Sequence, residues 1–277
     1  MQPPVDEHVR RLPASALRRH IAWYTGWRQV GVPPAEHRGL PSPWLTLILT
    51  LDDPLDVARH PDPRQRPGRF ETLVGGLHTA PALITHAGRQ SGVQLALHPL
   101  GARALLGLPA GELAGQDVPA DVVLGPVGVQ LHERLRTAVS WPARFAVLDE
   151  VLTEICLTGR RAAEPELPRA WELLHAGAGV GEVAADVGWS PRRLAARFEV
   201  EVGLSPKATA RVMRFDRARR LLPARVGDLA GLAADCGYYD QAHLNRDFRQ
   251  FAGLPPTAWL AAEGDLLGAV PEVASTP

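Results

Sequence analysis

Apolar positions in the last third of the chain recur with a helical period, and the whole pattern occurs twice. Residues 184–206 read AADVGWSPRRLAARFEVEVGLSP and residues 233–256 read AADCGYYDQAHLNRDFRQFAGLPP. Ala184, Gly188, Leu194, Phe198, Gly203, Leu204 and Pro206 return as Ala233, Gly237, Leu244, Phe248, Gly253, Leu254 and Pro256. The offset is 49 residues before the turn and 50 after it, so the second copy has one extra residue in its turn. In the first copy Val183 and Val187 share a helical face, Gly188 marks a helix end that needs positive φ, and Ser190-Pro191 supplies an N-cap and a proline at the first helical position. Leu194 and Phe198 then pack back, while Arg192, Ala196 and Glu199 point away and Arg193 sits on the shoulder. The second copy repeats this with Leu229, Leu232 and Ala233 as the buried stripe, Gly237 as the turn and Asp240 as the cap. Leu244 and Phe248 face inward, Ala242, Arg246, Arg249 and Gln250 face outward, and His243 lies at the edge.

Helix, glycine turn and polar-faced helix is the layout of a helix-turn-helix unit, and two copies suggest a chain that reads double-stranded DNA twice. Gln241 lies in the first turn of its helix, the end that usually enters the major groove, where glutamine and arginine pair with adenine and guanine edges. Between the copies, Ser205-Pro206 starts another helix whose apolar period runs through Ala208, Val212, Phe215, Ala218 and Leu222. About 17 residues span about 25 Å. With the width of the units added, the two recognition helices are expected near the roughly 34 Å repeat of DNA.

The N-terminal part has a different rhythm. Leu45, Leu47, Leu49 and Leu51 alternate with Thr46, Ile48 and Thr50, and Val93, Leu95 and Leu97 alternate with Gln94, Ala96 and His98. Residues 70–77 and 82–86 are weaker strand candidates. Proline and glycine clusters separate these runs, which predicts a small β-sandwich or barrel. Helices are expected over about 129–140 and 142–158, broken at Trp141-Pro142, with Leu131, Leu135, Val139, Phe145, Leu148, Leu152 and Ile155 as an apolar face for core packing or a dimer seam. The polar, proline-bearing stretch 159–169 reads as a linker. The fold class expected is α+β: a β-rich domain with helices over 1–158, an all-α domain over 170–262 with two helix-turn-helix units joined by a central helix, and a flexible tail over 263–277.

Charge sharpens the picture locally. The chain has 30 basic and 30 acidic residues. Residues 191–225, however, contain ten bases against three acids, a net of +7 that suits phosphate contact. No run of 18 apolar residues suggests a membrane span, and MQPPVDEHVRR lacks the apolar core of a secretion signal, so cytoplasmic residence is expected. Cys156 and Cys236 read as structural thiols, without a disulfide or a zinc site. No G-x-S-x-G, phosphate loop or H-E-x-x-H is present, so no enzyme activity and no cofactor are expected. His78, His86 and His98 lack metal-ligand spacing and read as structural histidines.

Residues 165–262 resemble the DNA-binding domain of AraC/XylS-type transcriptional regulators. The matching pieces are VAADVGWSPRRLAARFEVEVGLSP, RFDRARRLL and LAGLAADCGYYDQAHLNRDFRQFAGLPP. The resemblance implies seven helices, with Arg192, Ala195 and Ala196 reading bases in the first unit and Gln241, Ala242, Asn245 and Arg246 in the second. Arg193, Arg197, His243 and Arg249 complete the expected DNA-facing set. It also implies a cupin-like regulatory domain at the N-terminus; that domain is expected to bind a small-molecule effector or a second protomer, with RNA polymerase as partner for an activator, and monomer and homodimer both stay open. His78–Pro81, Gly88-Arg89 and His98–Pro109 resemble motifs of one group within these regulators. Two other readings stay open at this level: a metal-dependent cupin-type enzyme addressed to DNA, and an interaction module whose DNA units have decayed.

Overall fold

The computed structural model describes residues 3–158 and 163–268. Ten strands occupy the N-terminal part: β1 (Val5–Arg11), β2 (Ile21–Val30), β3 (Ala35–Gly39), β4 (Leu45–Thr50), β5 (Leu55–Arg59), β6 (Gly68–Phe70), β7 (Thr72–Gly75), β8 (Ala82–His86), β9 (Arg89–Leu97) and β10 (Asp117–Val118). They form two antiparallel sheets, ordered β1-β2-β9-β4-β7-β10 and β3-β8-β5-β6. Leu47 of β4 pairs with Leu95 on one side and Val74 on the other, so β4 is a central strand. One face of the larger sheet packs Leu45, Leu47, Leu49 and Leu95 against helices, with Leu131, Leu135, Phe145 and Leu148 opposite. The other face meets the smaller sheet, where Ile48 joins Leu55, Val57, Leu73 and Ile84. This is an α+β domain built on two facing antiparallel sheets, the sandwich that the alternating runs predict.

The alternation in 45–51 and 93–97 therefore separates two buried faces, not a buried from a wet one. The 70–77 candidate is split, because β6 ends at Phe70 and β7 starts at Thr72. Strands β1, β2, β3 and β5 have no counterpart among the sequence expectations. β2 (IAWYTGWRQV) is ten residues long and largely buried or half-buried on both sides, so no period of two marks it.

Helices α1 (Ala102–Leu106), α2 (Ala120–Leu124), α3 (Pro126–Thr137) and α4 (Trp141–Thr158) cover the larger sheet. Trp141-Pro142 opens α4; the break falls before it, and Val139 in that break is 93% exposed, so it belongs to no packed face. Seven helices follow: α5 (Glu166–His175), α6 (Val180–Asp186), α7 (Pro191–Glu201), α8 (Pro206–Leu221), α9 (Leu229–Asp235), α10 (Gln241–Ala252) and α11 (Pro256–Gly268). α5 starts inside the segment read as a linker, of which 159–162 lie outside the described residues. The expected flexible tail is helical to Gly268, with Glu263 only 6% exposed; 269–277 lie outside the described residues.

The two parts pack on each other. Leu77 from the strand region is buried in the same cluster as Leu167, Trp171, Leu174, Leu194 and Phe198. His98 packs against Trp171 with ring centroids 4.7 Å apart. Arg103 of α1 donates two hydrogen bonds, of 2.7 and 2.8 Å, to the buried Glu201 carboxylate at the end of α7. Gly111 lies so close to the last turn of α7 that a Cβ there would meet the carbonyl oxygens of Glu199 and Val200 at 2.4 Å. Arg38 of β3 pairs with Glu263 of α11. Cys156 and Cys236 are free thiols, and burial pushes both upward in pKa.

Candidate nucleic-acid interface

Each helix-turn-helix unit is built by the local signals in its sequence. Gly188 and Gly237 adopt φ of +69° and +75°, the left-handed conformation that ends α6 and α9. The amides of Trp189 and Tyr238 then bond back to Ala184 and Ala233 at 2.8 and 2.9 Å, burying both rings under the turn. Ser190 and Asp240 accept the amide hydrogens of Arg193 and His243, capping α7 and α10. Each such cap contributes about 1 kcal/mol. Leu194, Phe198, Leu244 and Phe248 are fully buried. In this alignment of turns the extra residue of the second copy is Tyr239. It is 93% exposed at the N-terminus of α10.

On α7, Arg192, Arg193 and Ala196 are exposed and Ala195 is half-buried. Arg193 stacks on Trp189, 4.6 Å from the ring centroid. Arg197 is turned away from this face: it pairs with Glu164 at 2.7 Å and with Glu201 at 3.6 Å. On α10, Gln241, Ala242, Arg246 and Arg249 are exposed. His243 and Asn245 are half-buried, His243 standing edge-on to Tyr238. Gln250 is exposed yet accepts a hydrogen bond from Arg211.

The basic stretch is far less free than its composition suggests. On α8, Arg219 and Arg220 both pair with Asp216, which is 1% exposed. Arg211 pairs with the buried Asp247 of α10, and Arg214 donates to the Gly237 carbonyl while lying over Tyr238. Arg225 pairs with Asp228 and Asp235. Arg211 and Arg214 thus tie the central helix to the second unit, while Arg219 and Arg220 are held within the helix itself. Among the described residues on and between the two units, Arg192, Arg193, Lys207, Arg217, Arg246 and Arg249 are exposed and make no ion pair, so they are side chains available to a phosphate backbone. Sequence reasoning missed Tyr239, although the change of offset from 49 to 50 residues points at its turn, and missed the pairing of Arg103 with Glu201, which no local signal announces.

The histidines considered as ligands have other partners. His78 Nδ1 lies 2.6 Å from the Ala80 carbonyl, His98 accepts the Leu100 amide, and His86 accepts the Gly88 amide. Burial pushes the His98 pKa down to about 4. Among the described residues no helix is long and apolar enough to cross a membrane.

Two family models match the chain: a helix-turn-helix domain over residues 183–262, and a domain of unknown function (DUF6597) over residues 9–119. No curated protein matches it. Among solved structures it is similar to ToxT from Vibrio cholerae (P21 form), at 8% identity and a TM-score of 0.50, with 86% of this chain and 97% of that one covered. It is similar also to unsaturated fatty acid bound wild-type ToxT from Vibrio cholerae strain SCE256, at 7% identity and a TM-score of 0.51, with 98% and 100% covered. At such identity the likeness is one of fold. It extends over both parts of the molecule, and the matched helix-turn-helix residues are those of the doubled unit. The chain thus joins a β-rich N-terminal domain to a helix-turn-helix domain that resembles the DNA-binding domain of AraC/XylS-type transcriptional regulators.

Proposed function

We propose that this regulator binds a specific bipartite DNA site by placing α7 and α10 in successive major grooves of one duplex face. The observation that carries this reading is the pair of capped helices with matching buried stripes and solvent-facing polar surfaces. In α7 the readers are Arg192 with the short Ala195 and Ala196, which suit thymine methyls and shape. In α10 they are Gln241, Ala242, Asn245 and Arg246, with Tyr239 at the groove edge. Arg193, Arg217, Lys207 and Arg249 serve as phosphate contacts. His243 has a supporting role through Tyr238, and Arg197 a structural one.

A small-molecule effector in the N-terminal domain biases the DNA-competent arrangement. A recess of about 350 Å³ between the two sheets supports this, because Arg219, Trp259 and Glu263 of the helical part complete its wall. ToxT, which has a similar fold, was solved with an unsaturated fatty acid bound. The test is selection from random duplex DNA with the full-length protein at two salt concentrations. Recovery of a motif with halves about 10 base pairs apart is expected. A single half-site would remove α7 from base reading, and no enrichment in either salt would overturn the proposal.

A further inference from the structure

The recess between the sheets has a chemistry of its own. Four tryptophans, Trp23, Trp27, Trp44 and Trp259, line it. Its charged groups already have partners. Arg38 pairs with Glu263, Asp117 lies 2.6 Å from His60 Nδ1, and Arg219 pairs with Asp216. The lining histidines add no charge near neutral pH: burial holds His37 down to about 4 and lowers His78 as well. Among the lining side chains, the Trp44 indole N–H, the Arg219 Nε–H and His37 Nδ1 are buried without hydrogen-bond partners. Hydrogen-bonding capacity is therefore in surplus, while both arginines of the lining already have a carboxylate. An ion in such a site would lose water without gaining a counter-charge, which is costly, whereas an aromatic body finds ring faces and edges.

Resting on the effector reading above, the geometry points to a neutral aromatic small molecule with an amide or carbonyl edge as the ligand of this recess. Occupancy would be felt by the second DNA-reading unit through Trp259. That side chain is 2% exposed, packs its ring 5.9 Å from Phe248 of α10, and donates to Glu263, the carboxylate that Arg38 holds.

The test uses three compounds of one shape: indole-3-carboxamide, indole-3-carboxylate and (indol-3-yl)methylammonium. Each is titrated into the full-length protein by calorimetry, with thermal melting followed by circular dichroism. The amide is expected to bind at least about tenfold tighter than either ion, a factor set by roughly 1.4 kcal/mol of uncompensated charge. Glu263→Gln leaves Arg38 unpaired and should turn the order toward the carboxylate. Tighter binding of either ion to the unaltered protein overturns the neutral class, and so does the failure of all three to bind at millimolar concentration. Anisotropy of a duplex recovered by selection separates the two readings. Binding of the amide with no change in DNA affinity ends the effector reading alone. A DNA affinity that responds only to the carboxylate ends the neutral class alone.

Discussion

The two helix-turn-helix units share caps, turns and buried stripes but differ in what surrounds their second helices. The last turn of α7 is sealed against the β-rich domain by Gly111 and by Arg103 on Glu201. The C-terminus of α10 meets no backbone approach of that kind among the described residues; its unit is reached by Leu40, which packs on its core, by Arg38, whose Nε lies beside Gly253, and by the Arg38–Glu263 pair to α11. Their outward faces differ as well. α7 offers Arg192 beside two alanines, while α10 offers Gln241, Asn245 and Arg246 with the exposed Tyr239 before them. One fold element, used twice, is thus biased toward anchoring in one copy and toward reading in the other.

The strongest way to break this contrast is Glu201→Ala. It strands the Arg103 guanidinium, 23% exposed, at the interface, and a loss of about 3 kcal/mol is expected in a urea melt of the full-length protein. A loss under about 0.5 kcal/mol, the level of an ordinary surface change, would deny α7 its anchor. Gly111→Ala comes next, because backbone carbonyls must move to admit the new methyl. A cost of about 2 kcal/mol is expected, with the affinity of the first half-site affected more than that of the second in binding assays. Arg246→Ala tests the other arm. It should lose about 1–3 kcal/mol on the selected site and relax one base-pair preference; equal losses on random DNA would defeat the base-reading role. Tyr239→Ala should leave stability within about 0.5 kcal/mol while weakening the second half-site, since its ring is almost wholly in solvent. The smallest effect is expected from Arg217→Ala, a uniform weakening visible as a salt slope reduced by about 1.

What could be read from the sequence was local. Glycine turns, Ser190, Ser205 and Asp240 caps and the stripes of leucine and phenylalanine act within a few residues of themselves, so both units and the central helix were legible. The β-rich domain was legible only where alternation survives. β1 (VDEHVRR) pairs along one side with β2 and stays polar, and β2 is enclosed from both faces, so neither shows the period of a half-buried strand. Charge was the most misleading signal. Counting ten bases against three acids over 191–225 does not reveal that Asp216 is buried and holds Arg219 and Arg220, or that the buried Asp247, outside that window, holds Arg211. The surface open to phosphate is accordingly narrower, and centred on residues such as Arg217 and Arg249. Glu263 shows the same limit from the other end of the chain, since its partner Arg38 is 225 residues away.

Leu77 gives the arrangement a practical meaning for protein engineering. It comes from the strand region, yet it is 1% exposed within the cluster that closes the first DNA-reading unit, beside Trp171, Leu194 and Phe198. The frontier drawn along the polypeptide is therefore not a frontier in space. A chimera that grafts α5–α11 onto another sensor inherits an open wall at that spot. It will need an apolar plug in place of Leu77, and a cation in place of Arg103, before its two halves can behave as a transplantable module.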